Sequence, residues 1–307
     1  MTPATRPTAV VFGYHDVGVR CLSVLLAHGI DVRLVVTHDD DPKELIWFGS
    51  VAALARNHRI DTIAPVAVDQ SLLDRVAAIS PDFLFSFYYR SMLPPSLLAT
   101  ARRGALNMHG SLLPKYRGRV PVNWAVINGE RETGASLHYM VEKPDAGDLV
   151  EQMAVPILPD DTAGDVFRKV TVAAEIVLDR SLPGLVAGTA SRRPLDLSAG
   201  SYCRGRRPED GRIDWSQPAA VIHDLVRAVA PPYPGAFTEL AGQPARVLRT
   251  RLAGHDPSAP RRRLQRDGDR LRACCSDGGV IEILELELNG KGVSAGEFAS
   301  RHGTIAL

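Results

Sequence analysis

The sequence predicts an α/β chain, with a doubly wound, mostly parallel sheet over residues 1–200 and a smaller, mainly β domain over residues 201–307. Three observations predict it. At 307 residues the chain is long enough for one large domain or, more often, two. Short apolar runs alternate with amphipathic segments through the first half, as strands alternate with helices that cover both faces of a sheet. From about Ser198 the composition shifts, with glycine, proline and arginine frequent and the apolar runs short.

Taken in order, Ala9 to Phe12 reads as a buried strand and Val17 to His28 as a helix with apolar positions at helical spacing. Val32 to Val36 is a second strand, Val51 to His58 a helix, and Thr62 to Ala64 a short extended piece. Leu72 to Ile79 is helical, and Phe83 to Phe87 and Ala105 to His109 are strands. Thr133 to Met140 and Leu149 to Ile157 read as extended. Asp165 to Leu182 is a long helix, capped by Asp160-Asp161-Thr162 and closed around Gly184 or Gly188. In the C-terminal region the apolar runs are Ala245 to Leu248, Leu271 to Cys275 and Val280 to Leu288. Ligands of such sheets bind beyond the carboxyl ends of the strands, near a switch in strand order.

Composition narrows the function. Apolar residues make up 45% and charged residues 23%, as in a soluble globular protein. A formal net charge of +1 provides no overall field toward nucleic acid or an anionic membrane. Met1 to Thr8 lacks the apolar stretch of a secretory leader, and no apolar run approaches the roughly 20 residues that span a bilayer. A cytoplasmic protein without membrane insertion is expected. Cys21, Cys203, Cys274 and Cys275 form no C-x-x-C pair, which fits a reducing compartment better than a disulfide framework or zinc site. There is no H-E-x-x-H and no pair of histidines four apart, so no metal is expected.

After the first strand, Gly13-Tyr-His-Asp-Val-Gly18 departs from G-x-G-x-x-G and reads either as a tight turn into a helix or as the lining of a pocket. Gly292-Val-Ser294-Ala-Gly296 fits the spacing of a hydrolase nucleophile elbow. Too little chain follows it to supply the downstream acidic residue and histidine, so it reads as a loop. The stretch from Ala105 to Gly147 is richer. Asn107 and His109 are two apart on a strand and so face one way. Asparagine offers an amide donor to a developing oxyanion, and histidine carries a proton near neutral pH. Asp145, in a turn before Gly147, supplies a carboxylate that would orient an imidazole and favour its protonated form. Taken alone, this pattern also fits buried capping or core roles.

Asn107-Met-His-Gly-Ser-Leu-Leu-Pro-Lys-Tyr-Arg-Gly-Arg-Val-Pro121 resembles the signature of 10-formyltetrahydrofolate-dependent formyltransferases, and Glu132-Thr-Gly, Leu137-His-Tyr-Met and Asp145-Ala-Gly continue it. Phe85-Ser-Phe-Tyr-Tyr-Arg90, Ala230-Pro-Pro-Tyr-Pro-Gly-Ala-Phe237 and Gly290 to Phe298 extend the resemblance over the whole chain. It implies a Rossmann-like formyltransferase fold with an OB-like C-terminal domain. It places the catalytic asparagine, histidine and aspartate on Asn107, His109 and Asp145. It places contacts to the cosubstrate 10-formyltetrahydrofolate on Ser91, Met92, Leu93, Arg119, Val141, Glu142, Lys143, Pro144 and Asp145. Of these, 91–93 and 141–144 match by position more than by identity, and Arg119 also fits a solvated loop.

Within the family, Gly13 to Gly18, Thr37-His38, Phe48-Gly-Ser50 and Ser86 to Arg90 look like the branch of the N-terminal formyltransferase domain of the bifunctional polymyxin-resistance protein ArnA. That similarity implies transfer to an amino-sugar nucleotide, with UDP-4-amino-4-deoxy-L-arabinose of lipid A modification the first candidate. The dehydrogenase half of ArnA has no counterpart before Leu307, so a partner enzyme is expected to supply the precursor. A homo-oligomer is compatible with the sequence. The alternative acceptor is methionyl-tRNA. For it stand Arg246, Arg249, Arg251, Arg261, Arg262, Arg263, Arg266, Arg270 and Arg272. Against it stand Asp39-Asp40-Asp41 and Glu44, where the tRNA branch resembles a basic insertion, so nucleic acid is not the expected partner.

Overall fold

A computed structural model describes residues 6–42, 44–258 and 260–307, so most of the N-terminal stretch read above, residues 1–5, lies outside the described residues. The chain opens with β1 (Thr8–Gly13), α1 (His15–Ala27) and β2 (Asp31–Val36), followed by α2 (Val51–Asn57) and β3 (Thr62–Ile63). α3 (Gln70–Ile79), β4 (Phe83–Phe87), α4 (Pro95–Leu98) and β5 (Gly104–His109) complete the parallel part. β1 and β4 are apolar along almost their whole length because both faces of a parallel sheet are covered. Next come β6 (Arg117–Gly118), α5 (Pro121–Ile127), β7 (Glu132–Tyr139) and β8 (Leu149–Pro156). The main sheet has the order β3-β2-β1-β4-β5-β7-β8. Strands β1 to β5 pair in parallel, and β7 joins antiparallel to β5. Strand order reverses between β1 and β4, so the crevice that such sheets use for ligands opens there.

One face of this sheet is packed core. Val10, Phe12, Leu34, Val36, Leu84 and Ala105 meet Leu72 and Val76 of α3 and Leu97 of α4, with Leu93 from the loop before it. Two and four residues beyond Ala105 on the same face of β5 stand Asn107 and His109. The apolar layer thus ends where the polar site begins.

α6 (Ala163–Ala187) runs 25 residues, past the expected Leu182 and through Gly184, and stops before Gly188, the other glycine read as marking its end, whose φ of +73° suits only a glycine well. Thr162 caps it as expected: its hydroxyl accepts from the Asp165 amide at 3.2 Å, and the Asp165 carboxylate accepts from the Thr162 amide at 3.0 Å. Among the described residues no helix is long and apolar enough to cross a membrane.

The chain falls into two compact units, Met1–Pro121 with Thr133–Val155 and Arg168–Cys203, and Val122–Glu132 with Pro156–Phe167 and Arg204–Leu307. A single boundary near residue 200 does not express the two earlier excursions, 122–132 and 156–167, that belong to the second unit. β9 (Tyr202–Cys203) pairs with β6 within the first. The second holds α7 (Ala219–Val229), β10 (Ala236–Leu240), β11 (Gln243–His255), β12 (Arg263–Asp267), β13 (Arg270–Cys274) and β14 (Gly279–Leu288). β15 (Lys291–Gly292), α8 (Ala295–His302) and β16 (Ile305–Ala306) end it. Its sheet is antiparallel, in the order β10-β11-β14-β13-β12-β16, over buried Val247, Leu264, Leu271, Ile281 and Phe298. Ser294 serves as the N-cap of α8, exchanging hydrogen bonds with Glu297 at 2.9 and 3.2 Å, which gives the Gly292–Gly296 serine a structural role. Much of the arginine cluster is paired within this unit: Arg249 with Glu285, Arg251 and Arg270 with Glu282, Arg266 with Asp269 and Arg272 with Asp267.

Candidate active site

The pleat of β5 sends Asn107 and His109 to one face and Met108 into the core on the other. β7 lies alongside in a register that sets Asn107 opposite His138 and His109 opposite Ser136. Directly opposed residues share a face, so Asn107, His109 and His138 come together. The turn after β7 returns Asp145 to the same place. Three residues around it, Tyr88, Tyr116 and Asp145, hold left-handed backbone at φ of +58°, +57° and +50° without being glycine. Such positions cost about 1–3 kcal/mol each and concentrate where function demands them.

Asp145 joins the group. One carboxylate oxygen accepts from the Gly118 amide at 2.8 Å and lies 3.6 Å from His109 Nδ1. The other accepts from Asn107 Nδ2 at 3.3 Å and lies 3.4 Å from His138 Nε2. Burial works to raise the Asp145 pKa, but His109, His138 and the Gly118 amide together outweigh it and hold the carboxyl well below its ordinary 3.8. The residue is therefore a fixed anion at neutral pH.

Hydrogen-bond partners define the ring roles. His109 Nε2 donates to the Tyr116 carbonyl at 2.8 Å, because a carbonyl can only accept. Nδ1 faces Asp145 at a separation longer than a hydrogen bond and is the nitrogen left for a mobile proton. His138 Nδ1 likewise donates to the Tyr139 carbonyl at 2.9 Å. Its Nε2 lies 3.2 Å from Asn107 Nδ2 and 3.4 Å from the Asp145 carboxylate. The amide nitrogen of Asn107 must face Asp145, since a carboxylate offers no proton. With its amide nitrogen engaged by Asp145, Asn107 presents its carbonyl oxygen to a substrate, and not the amide donor to an oxyanion that the sequence reading expected.

Two glycines make the turn geometry. Gly118 has φ +100°, and a Cβ there would sit 2.2 Å from the Cys203 carbonyl oxygen. At Gly147 a Cβ would sit 2.0 Å from the Tyr139 carbonyl oxygen, so only glycine lets the Asp145 turn close on β7.

The structure brings Asn107, His109 and Asp145 into one cluster and adds His138, which the sequence reading left without a role. The signal was present: a histidine on an apolar strand whose alternation points it to the face used by Asn107. Gly118 and Tyr116 contribute main-chain groups that no side-chain motif reveals. Of the other residues, Leu93 is 8% exposed and part of the core cluster, whereas Met92 is 64% exposed and Val141 is 47% exposed. Ser91, Arg119, Glu142 and Lys143 are exposed, and Pro144 is half-buried. The Arg119 amide bonds the Cys203 carbonyl at 3.0 Å. A cavity of about 420 Å³ opens beside the 141–145 turn, walled by Leu98, Ala105, Tyr139, Met140, Val141 and Arg192. Among the expected cosubstrate contacts its wall includes Val141. Arg192 lies over the Tyr139 ring at 3.8 Å. Among the described residues no group of three or more His, Cys, Asp or Glu is disposed to hold a metal ion.

Residues 10–182 match the formyl transferase family, and residues 206–303 match the formyl transferase C-terminal domain. The fold is also that of several solved structures. An N-formyltransferase from Helicobacter canadensis, in complex with folinic acid and dTDP-3-aminofucose, superposes with a TM-score of 0.74 at 18% identity, over 91% of this chain and 99% of that one. WlaRD, a sugar 3N-formyl transferase solved with dTDP and 5-N-formyl-THF, gives 0.70 at 17% identity, over 94% and 100%. A 4-N formyltransferase from Francisella tularensis gives 0.63 at 20% identity, over 78% and 95%.

Proposed function

The chain belongs to the formyl transferase family, and we propose that it moves a formyl group from 10-formyltetrahydrofolate to the primary amine of an amino-sugar nucleotide. The observation that carries this reading is the convergence of Asn107, His109, His138 and Asp145 at the carboxyl edge of β5. A fixed carboxylate, an imidazole with one free nitrogen and an amide oxygen are what transfer of an acyl group to an amine requires. The exposed apolar side chains of Met92 and Val141, with the cavity beside the 141–145 turn, suit a flat, largely apolar ring system such as that of a reduced folate. The Helicobacter canadensis protein of like fold takes folinic acid and a dTDP-amino sugar together.

The cosubstrate supplies an activated formyl carbonyl; the chain supplies position and proton movement. The Asn107 carbonyl oxygen accepts an N–H of the incoming amine and aims its lone pair at the formyl carbon. His109, its ring fixed through Nε2 by Tyr116, receives the amine proton at Nδ1 and returns it to the departing nitrogen. The charged ring stands beside the developing oxyanion, and Asp145 stabilises that charged state. Ser91 to Leu93 and Val141 to Asp145 hold the folate, Leu93 through its main chain because its side chain lies in the core. Arg119 faces the polar part of the folate.

The resemblance to the ArnA branch names UDP-4-amino-4-deoxy-L-arabinose as first acceptor, in the cytoplasm and in lipid A modification. Methionyl-tRNA is the rival. The pairing of five arginines of the C-terminal cluster with Glu282, Glu285, Asp267 and Asp269 lowers what that cluster offers to phosphates. The test is a direct comparison: the full chain with 10-formyltetrahydrofolate and a panel of amino-sugar nucleotides, against charged initiator tRNA. Formylation of an amino-sugar nucleotide is expected. Faster formylation of the tRNA than of every sugar tested would overturn the choice.

A further inference from the structure

The carboxyl edge of the main sheet carries a second feature that the catalytic cluster does not use. Side-chain rings from three segments of the first unit gather beyond the ends of β1, β2 and β4, at the reversal of strand order. His15 stacks on Phe48 with ring centres 3.8 Å apart and meets Trp47 edge-on at 4.6 Å. Tyr14 meets Phe48 at 5.1 Å, and His38 stacks on Tyr89 at 4.2 Å. The loop that brings Trp47 and Phe48 is pinned. Arg90 grips both oxygens of Glu44 at 2.9 Å, Tyr14 donates to Asp40 at 2.8 Å, and the Gly49 amide donates to Asp16 at 2.7 Å. His15 holds a left-handed backbone at φ +65°, a conformation a non-glycine residue keeps only when its surroundings fix it.

Despite this fastening, the loop turns apolar surface outward. Leu45 is 70% and Ile46 is 37% exposed, and Trp47 and Phe48 are only half-buried. The chemistry of the rings says what kind of group they suit. Burial, with help from the Arg90 charge, pushes the His15 pKa down to about 3 and lowers that of His38. Both rings are neutral at physiological pH, and Arg90 is committed to Glu44. The cluster is therefore a set of uncharged flat faces, fitted to a heterocycle rather than to phosphate.

Its position matches the acceptor's geometry. Val36, Phe12, Ser86, Asn107 and His138 form one transverse row across β2, β1, β4, β5 and β7. Strands lie about 4.8 Å apart, so the ends of β1 and β2 stand roughly 10–15 Å from Asn107 along one edge. A sugar, two phosphates and a ribose in line span ten or so bonds of about 1.5 Å, which with their angles also reaches roughly 10–15 Å.

We propose that the turn after β1 and the loop before α2 form a base-stacking subsite, in which Trp47 and Phe48 hold the heterocycle of the acceptor's nucleotide while its sugar amine reaches Asn107 and Asp145. This deepens the reading above and rests on it. The folate side of the cluster, around Met92 and Val141, is left to the cosubstrate.

The test titrates the full chain with UDP, with dTDP and with inorganic pyrophosphate, a probe that lacks the ring. A nucleotide should bind and quench tryptophan fluorescence, and pyrophosphate should bind at least about tenfold more weakly. Trp47→Ala and Phe48→Ala should each weaken nucleotide binding about ten- to a hundredfold, the range of base–aromatic stacking. Their thermal midpoints and their affinity for 5-formyltetrahydrofolate should stay near wild type. Phe48→Leu keeps the volume but removes the flat face, and it decides the matter should an alanine variant lose folate affinity as well. Phe48→Tyr should retain binding. Nucleotide affinity unchanged in the alanine and leucine variants, or pyrophosphate binding as tightly as UDP, would overturn the subsite. Formylation of an amino-sugar nucleotide with unchanged KM in those variants would reject the subsite and leave the acceptor reading intact. Failure to formylate any amino-sugar nucleotide would remove both.

Discussion

Asp145→Asn separates charge from shape at the centre of the site. The wild-type carboxylate accepts from the Gly118 amide at 2.8 Å and from Asn107 Nδ2 at 3.3 Å, and faces two imidazoles. An asparagine side chain has one oxygen to offer. Turned to accept from Gly118, it sets its NH2 against that of Asn107; turned the other way, it sets its NH2 against the main-chain N–H. Hydrogen bonds to a charged group contribute about 1.5–3 kcal/mol each, so loss of one and weakening of the other should destabilise the fold by about 2–4 kcal/mol at pH 7. The sign with pH is fixed by the depressed pKa. A carboxyl held below its ordinary 3.8 contributes its full stabilisation above that value and loses it as pH falls toward the folded value. The stability gap between wild type and variant should therefore narrow in acid. Turnover should fall about 10²- to 10⁴-fold, because the charged His109 ring loses its counter-charge. Urea unfolding at pH 7 and at about pH 3, with formyl-transfer rates at saturating substrates, measures both. A gap independent of pH, or turnover within about tenfold of wild type, would refute the reasoning.

His109→Ala should lower turnover about 10²- to 10⁴-fold with 5-formyltetrahydrofolate affinity largely intact, since the ring moves a proton; binding titration beside rate measurement checks it, and near-normal turnover would count against the mechanism. Gly147→Ala places a Cβ 2.0 Å from the Tyr139 carbonyl oxygen and should displace the Asp145 turn, with a stability loss of about 1–3 kcal/mol and a fall in turnover, read by denaturation and rate together. Phe85 is fully buried in β4 with its ring 5.6 Å from that of Phe87, so Phe85→Ala should cost about 3–5 kcal/mol in chemical denaturation.

The strands of the first unit were legible because burial on both faces writes itself into local composition. Phe83 to Phe87 is a strand in the sequence reading and in the structure alike. The helix over 163–187 was legible in its cap and in Gly188, one of the two glycines read as marking its end, whereas Gly184 lies within it and the expected Leu182 falls short. α7 went unread in a region judged by its glycine, proline and arginine content, although Ile222, His223, Val226 and Val229 bury one face of it at helical spacing. The turn-mediated contact of Asp145 with Asn107, 38 residues apart, was expected from family resemblance and not from any spacing in the chain.

Period and composition are local properties, and they determined the alternating sheet, the shared face of Asn107 and His109, and the cap at Thr162. Register is not local. That His138 stands beside Asn107 depends on β7 pairing antiparallel with β5 in one alignment, and a shift by one residue would turn His138 away. That Leu93 is core while Met92 is exposed, and that five arginines of the second unit face carboxylates, follows likewise from which surfaces pack. The sequence by itself fixed which residues could do chemistry; the burial of whole faces, settled only when distant strands align, decided which of them meet.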